Sequence, residues 1–287
     1  MNPPAAAAPQ AARPQPLWKR ILDSRFIPPI FITLILLVGN FSFGILESYT
    51  RTLLAIATSI AGELILGRIF LKKWPHPASA YITGISVGIL LRSPAYWTYA
   101  LCAALSISSK YALRFRNRHI WNPSNFGICA MLVLASDSVA GLSIQWGNNF
   151  ASLIAIWILG SVIVWRARRF NITATYVASF IAFSFLRSWI TGDPWQSEIS
   201  PITGPMYQLF IFFMITDPKT TVRSRTGQCI VAFAIALLEF FMRLGSSVYA
   251  PLYALFWVGP AALFIEIWLD SRRSRAVSAT LPGPQPA

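Results

Sequence analysis

Acidic residues are scarce in this 287-residue chain: 10 Asp and Glu stand against 24 Lys and Arg, and charged residues of both signs make up only 12% of it. That is about half the share in an ordinary soluble domain, too little charge to cover the surface of a soluble protein of this size. Histidine is scarcer still. Only His76 and His119 occur, and no H-E-x-x-H, P-loop or nucleophile-elbow segment accompanies them, so nothing supports the common hydrolytic chemistries. The three cysteines, Cys102, Cys129 and Cys229, have no C-x-x-C spacing. They read as small buried hydrophobes, the other reading being a metal or iron–sulfur ligand role shared with a partner subunit.

Apolar residues are abundant, at 55%, and they cluster into long runs separated by short polar connectors. About 20 such residues cross a bilayer as a helix. Irregular backbone cannot face lipid, and the runs are far too long for barrel strands. The sequence therefore predicts an all-α integral membrane protein with ten transmembrane helices. These fall at 27–46, 51–71, 78–91, 95–113, 125–142, 150–165, 172–190, 205–216, 227–242 and 250–269. The third and eighth are too short to cross comfortably. The expected organisation is a disordered cytoplasmic tail over 1–26, a membrane domain over 27–269 and a second cytoplasmic tail over 270–287. Lys19, Arg20 and Arg25 before the first run imitate a secretion signal, but the run is full-length and no A-x-A-like site follows, so it reads as an uncleaved helix.

The basic excess would point to nucleic acid in a soluble protein. Here it alternates by connector. One side receives Lys72 and Lys73; Lys110, Arg114, Arg116 and Arg118; Arg166, Arg168 and Arg169; Lys219, Arg223 and Arg225; and the basic residues of both tails. Arg51, Arg92, Arg187 and Arg243 fall on the opposite side, and Arg68 lies inside the second span. The positive-inside rule then puts both termini in the cytoplasm, with lipid as a partner and nucleic acid excluded.

The halves 27–142 and 150–269 resemble each other. In each the third span is the short one. Each follows a Pro-containing lead, Pro75-His76-Pro77 or Pro201 to Pro205, and each stops at Arg92-Ser93-Pro94 or Thr216-Asp217-Pro218. An odd number of spans per half turns the second upside down, and paired short Pro-interrupted segments mark an inverted repeat.

Glu63, Arg68, Glu239, Arg243 and Glu266 fall within or at the ends of spans. Each costs about 2.5 to 3.5 kcal/mol at a bilayer centre unless paired or hydrated. Glu239 and Arg243 are spaced to pair with each other on one helix, whereas Glu63 has no close sequence partner. Structural pairing between helices and a proton or cation path through Glu63 and Glu239 both stay open.

Two basic-rim segments carry the chemistry. The first runs from Lys110-Tyr111 onward to Arg118-His119 and through Asn122-Pro123-Ser124-Asn125 to Gly127; the second spans Phe212 to Thr221 and contains Thr216-Asp217-Pro218-Lys219-Thr220. Asn122 with Pro123, and Asp217 with Pro218, fit helix N-caps followed by proline. Helix N-termini ringed by Arg114, Arg116, Arg118, Lys219, Arg223 and Arg225 fit a phosphate. Phe210, Phe212, Phe213 and Trp121 could pack on its attached ring. A positive rim with capped helices explains the same residues without a ligand, and His119 reads either as a solvated loop histidine or as a ligand contact.

These segments resemble the NqrB/RnfD family, the ten-helix membrane subunits of the sodium-pumping quinone reductase and the Rnf electron-transport complex. Phe212 to Thr220 is similar to the family's F-F-M-A-T-D-P-V-T segment, Asn122 to Gly127 to its F-N-P-A-M-V-G segment, and Ser79 to Pro94 to its third helix. The resemblance implies a subunit that binds flavin and passes electrons toward a quinone or another subunit's cofactor, coupled to ion movement. It implies cofactor contacts at Arg118, Asn122, Pro123, Ser124, Asn125, Thr216, Asp217, Lys219 and Thr220. The family attaches FMN to the threonine of a G-A-T motif, and no Gly-Ala-Thr occurs here. FMN or riboflavin is therefore expected to be non-covalent, in a short, stand-alone UnbU-like relative. A small-solute transporter or channel on the same repeat and a cofactor-free structural subunit are the alternatives.

Overall fold

A computed structural model describes residues 27–44, 46–116, 118–141 and 150–280. The expected tail over 1–26 and the loop between the halves lie outside these residues. The chain is mostly helical. Helices α1 (Ile27–Phe43), α2 (Tyr49–Leu71), α3 (Ala78–Leu90), α4 (Tyr96–Ala112) and α5 (Pro123–Leu134) form the first half. The second half holds α6 (Phe150–Arg166), α7 (Phe170–Thr191), short α8 (Trp195–Ile199), α9 (Pro205–Leu209) running into a π-turn over Phe210–Met214, α10 (Arg225–Leu244) and α11 (Ala250–Thr280). Each of the ten expected segments carries a helix. Among the described residues, three are long and apolar enough to cross a membrane: Tyr49–Leu71, Arg225–Leu244 and Ala250–Arg272.

Side chains are sorted with apolar groups outward. Along α2 the buried positions are Thr52, Ala55, Ser59, Glu63 and Gly67, three or four residues apart and mostly small or polar. Leu53, Ile65, Ile69 and Phe70 on the same helix are exposed. The outer surface elsewhere carries Trp165, Trp189, Ile230, Trp257 and Ile265. A helix in water turns its apolar stripe inward. This arrangement suits a lipid surround, where small residues let backbones approach and polar side chains face neighbouring helices. Gly84 of α3 marks one close approach: a Cβ there would lie 2.5 Å from the backbone Cα of Ile56.

Several boundaries depart from expectation. The fifth span was placed at 125–142, but α5 stops at Leu134. A polar turn through Ser136 and Asp137 follows. Ala140–Gly141 then pairs antiparallel with Leu91–Arg92, the extended end of α3. The eighth span loosens into the π-turn and ends at Thr216, because Pro218 disfavours helical geometry in the residue before it. Ser271 onward does not form the loose tail expected from 270, since α11 continues to Thr280. Asp217 does not cap a helix either. Ser224 caps α10, accepting from the Gly227 amide at 3.1 Å, while the Asp217 carboxylate accepts from the Lys219 amide at 3.0 Å within a turn.

The close packing of α2 on α3 sets an expected outcome. Gly84→Ala should destabilise detergent-solubilised protein by about 1 to 3 kcal/mol, the usual cost of overpacking. Gly62→Ala, whose Cβ would meet Ile107 at an ordinary 3.4 Å, should be near neutral. Equal thermal midpoints for the two variants would contradict the observed approach.

Candidate anion site at the basic end of the bundle

Four connectors meet at one end of the bundle and enclose a cavity of about 780 Å3. They are the turns between α2 and α3, between α4 and α5, between α6 and α7, and between the π-turn and α10. Six cations line it, Lys110, Arg114, Arg118, Arg169, Lys219 and Arg223, with His76 and His119 beside them. Glu63 is the one acidic residue of the lining.

Glu266 organises the rim. It accepts a hydrogen-bonded ion pair from Arg118 Nη1 and a 2.6 Å bond from the backbone amide of Arg223. Arg118 Nη2 also donates to the Thr221 carbonyl at 2.5 Å. The two sequence-predicted segments touch directly, Asn122 Nδ2 donating to Asp217 Oδ2 at 3.3 Å. Burial pushes the Asp217 carboxyl above its usual range, opposed by the Lys219 amide and charge and by the Thr220 and Asn122 side chains.

Three lining residues carry a buried polar atom with no protein partner: Oε2 of Glu63, Nδ1 of His119 and Nη1 of Arg169. Buried polar atoms are normally satisfied, so each points to a group that meets it in the functioning protein. Of the three, the Arg169 nitrogen is the charged donor that suits an anion.

The structure divides the sequence-predicted residues. Arg118, Lys219 and Glu63 line the cavity, as do Arg114 and Arg223 from the wider ring. Asn122 caps α5, accepting from the Asn125 amide at 3.1 Å, and Pro123 takes the first helical position. Ser124 donates to Asn122 Oδ1 at 2.9 Å. Asn125 is fully buried and donates to the Leu252 carbonyl at 3.2 Å, so it ties α5 to α11. Thr216 donates to the Phe212 carbonyl at 2.8 Å and Thr220 to that of Asp217 at 3.4 Å. These polar groups build the rim and leave its cations to face the cavity.

The expected aromatic lid is absent from the lining. Phe210 and Phe212 are core, packed on Tyr176 and Trp157, and Trp121 packs against Phe126 and Phe256. The predicted Glu239–Arg243 pair does not form. Glu239 is buried away from the cavity and accepts from Tyr176 and Tyr207 at 2.5 and 2.6 Å. Arg243 turns to Glu198 at 3.0 Å, which Arg187 also binds. Glu198 is nearly fully buried and needs both.

Sequence reading opened its first motif segment at Lys110 but named neither Lys110 nor Arg169 as a ligand contact. Lys110 lies at the end of a span and Arg169 looks like one more positive-inside residue; only the packing of the connectors shows that both line the cavity. His119 is also buried, against the solvated reading. No protein-family model matches this chain, and no curated protein matches it.

Burial, then the charges of Lys219, Lys110 and Arg114, push the His119 imidazole down to about 4. Between about pH 6.5 and that value the unfolded histidine binds a proton that the folded one refuses, so stability present above this window is lost as pH falls through it. His119→Gln should remove roughly 2 kcal/mol of that loss by about pH 4.5. Thermal unfolding at several pH values checks this. A wild-type profile as flat as the variant's would contradict it.

Proposed function

We propose that this chain is a bacterial inner-membrane electron-transport subunit of NqrB/RnfD type. In this reading it holds the phosphate of a non-covalent FMN in the basic cavity and passes electrons toward a quinone or another subunit's cofactor. The observation that carries the reading is the convergence of its two motif segments. They lie far apart in sequence, meet through Asn122 and Asp217, and present Arg118 and Lys219 to a cavity large enough for a mononucleotide. The partnerless Nη1 of Arg169 supplies a further donor.

The same reading takes the ten helices as ten spans in two inverted repeats, with both termini and the cavity on the cytoplasmic side. Packing supports the repeat. Chain-order counterparts touch across the halves: α1 with α6, α3 with α9, and α5 with α11. Within each half the second helix packs on the fourth, α2 on α4 and α7 on α10. Such self-pairing suits a two-fold relation between the halves. A cation also sits near the end of each fourth helix, Lys110 in α4 and Arg243 in α10, each bound to a buried carboxylate. Carriage of a small anion on the same repeat is the second reading, favoured by a lining in which Tyr111 is the only aromatic residue apart from the two histidines.

Titration of the detergent-purified chain separates the two. FMN should bind more tightly than riboflavin, because only FMN carries the phosphate. Arg169→Ala with Lys219→Ala should weaken FMN by roughly tenfold or more, the scale of a lost charge-assisted hydrogen bond, and leave riboflavin unchanged. Equal affinity for both flavins, untouched by the double variant, would overturn the phosphate site. Binding of inorganic phosphate or pyrophosphate without either flavin would favour the carrier.

A further inference from the structure

Helices α10 and α11 are two of the three, among the described residues, that are long and apolar enough to cross a membrane. They pack antiparallel, the start of α10 held beside Glu266 of α11. Between them lies a groove of about 830 Å3. Small residues make room for it, Gly227 and Ala234 of α10 with Ala261 and Ala262 of α11. Ile230, Trp257 and Ile265 flank them at 62%, 63% and 58% exposure, so the groove opens on the outer, apolar surface. Charged and hydroxyl groups occur at one end only, the basic end of the bundle: Arg223, Ser224, Glu266 and Asp270. At about 1.5 Å per helical residue, the spans from Ser224 to Ala234 and from Trp257 to Asp270 make it roughly 15 to 20 Å long. That is near half of the roughly 30 Å hydrocarbon core, the depth of one leaflet.

We infer that this groove binds an anionic phospholipid from the leaflet on the basic side, with one acyl chain along it and the phosphodiester on Arg223 and Ser224. Length and charge select that occupant together. A space one leaflet deep, apolar along its length and polar at one end, matches the chain and head of a single lipid. Arg223 binds Glu266 through its backbone amide, so its guanidinium is not spent on that carboxylate. Glu266 is itself held by Arg118. Ser224 accepts from the Gly227 amide at 3.1 Å, which leaves its O–H to donate to a phosphate oxygen. Arg225 and Arg272, exposed at the same end, add positive charge around the mouth, and basic pockets between helices at a membrane surface collect anionic head groups. Asp270 shares the mouth, so the site suits the single charge of a phosphodiester and not the double charge of a phosphomonoester. Arg223 lines both this groove and the basic cavity, but the inference does not depend on what the cavity holds.

The test uses the full chain in micelles of an uncharged detergent, titrated with dioleoylphosphatidylglycerol and separately with dioleoylphosphatidylcholine. The thermal midpoint is read at each lipid concentration. Phosphatidylglycerol should raise it at a concentration roughly fivefold lower than phosphatidylcholine requires, the scale of one head-group charge meeting one cation. Arg223→Ala should remove that preference and leave the response to phosphatidylcholine in place. Ala261 is exposed in the groove, so Ala261→Trp fills the space without entering the core; it should blunt the response to both lipids. Equal responses of the wild-type protein to the two lipids overturn the head-group site and need no variant to show it. A preference that survives both variants puts the lipid elsewhere and also overturns it. Light scattering on the lipid-free protein supplies the remaining outcome: a dimer that Ala261→Trp splits into monomers means that a second copy fills the groove, and the lipid site is overturned.

Discussion

The carboxylate of Glu266 holds the basic end of the bundle together. One side chain on α11 accepts from Arg118 and from the amide of Arg223, and Arg118 in turn reaches the carbonyl of Thr221. Without it, connectors rich in Arg and Lys would repel one another and splay into solvent. With it, the segment before α5 and the segment before α10 are clamped to the same helix, and their unused cations turn toward a shared cavity. Removing one partner of such a shielded, hydrogen-bonded ion pair costs far more than losing a surface bridge. The Asn122–Asp217 contact is the second tie between the same two segments. Lys219 of the second segment lines the cavity together with Arg169 and Lys110 from the neighbouring connector and helix.

The bundle beneath obeys a related constraint. Polar side chains are buried among its apolar core while many large apolar groups face outward, so each buried charge must be met by another helix. The structure meets this with local clusters: Glu63 with Lys110, Glu198 with Arg187 and Arg243, and Glu239 with two tyrosine hydroxyls. Such clusters specify which helices pack together, because a different pairing would strand a charge in an apolar surround. Glu63 alone among the three carboxylates keeps an oxygen with no partner, and it is also the one that opens onto the cavity.

Helix positions were legible in the sequence because long apolar runs between basic connectors admit few other structures. Helix ends were less so. Leu134, where α5 stops, looks like mid-span until Ala140 pairs with Arg92 across the fold. Asp217-Pro218 looks like a helix cap, yet a turn of Thr and Lys follows before Ser224 starts α10. The two motif segments meet at one end of the molecule, where Arg118 and Lys219 line the cavity. Asn122, Ser124 and Asn125 serve the rim through backbone bonds, which spacing cannot separate from ligand contacts. Glu239 was expected to bind Arg243, four residues along. Tyr176 and Tyr207 come from other helices, so no local pattern could name them.

The proposed non-covalent flavin site at the basic end of this bundle is open to a visible absorption spectrum, taken after purification at low salt and incubation with FMN. Flavin bands should stay with the protein through gel filtration, bleach on reduction and leave with the small molecules on denaturation. A protein that emerges colourless, or one whose flavin remains attached after denaturation, would contradict the proposal.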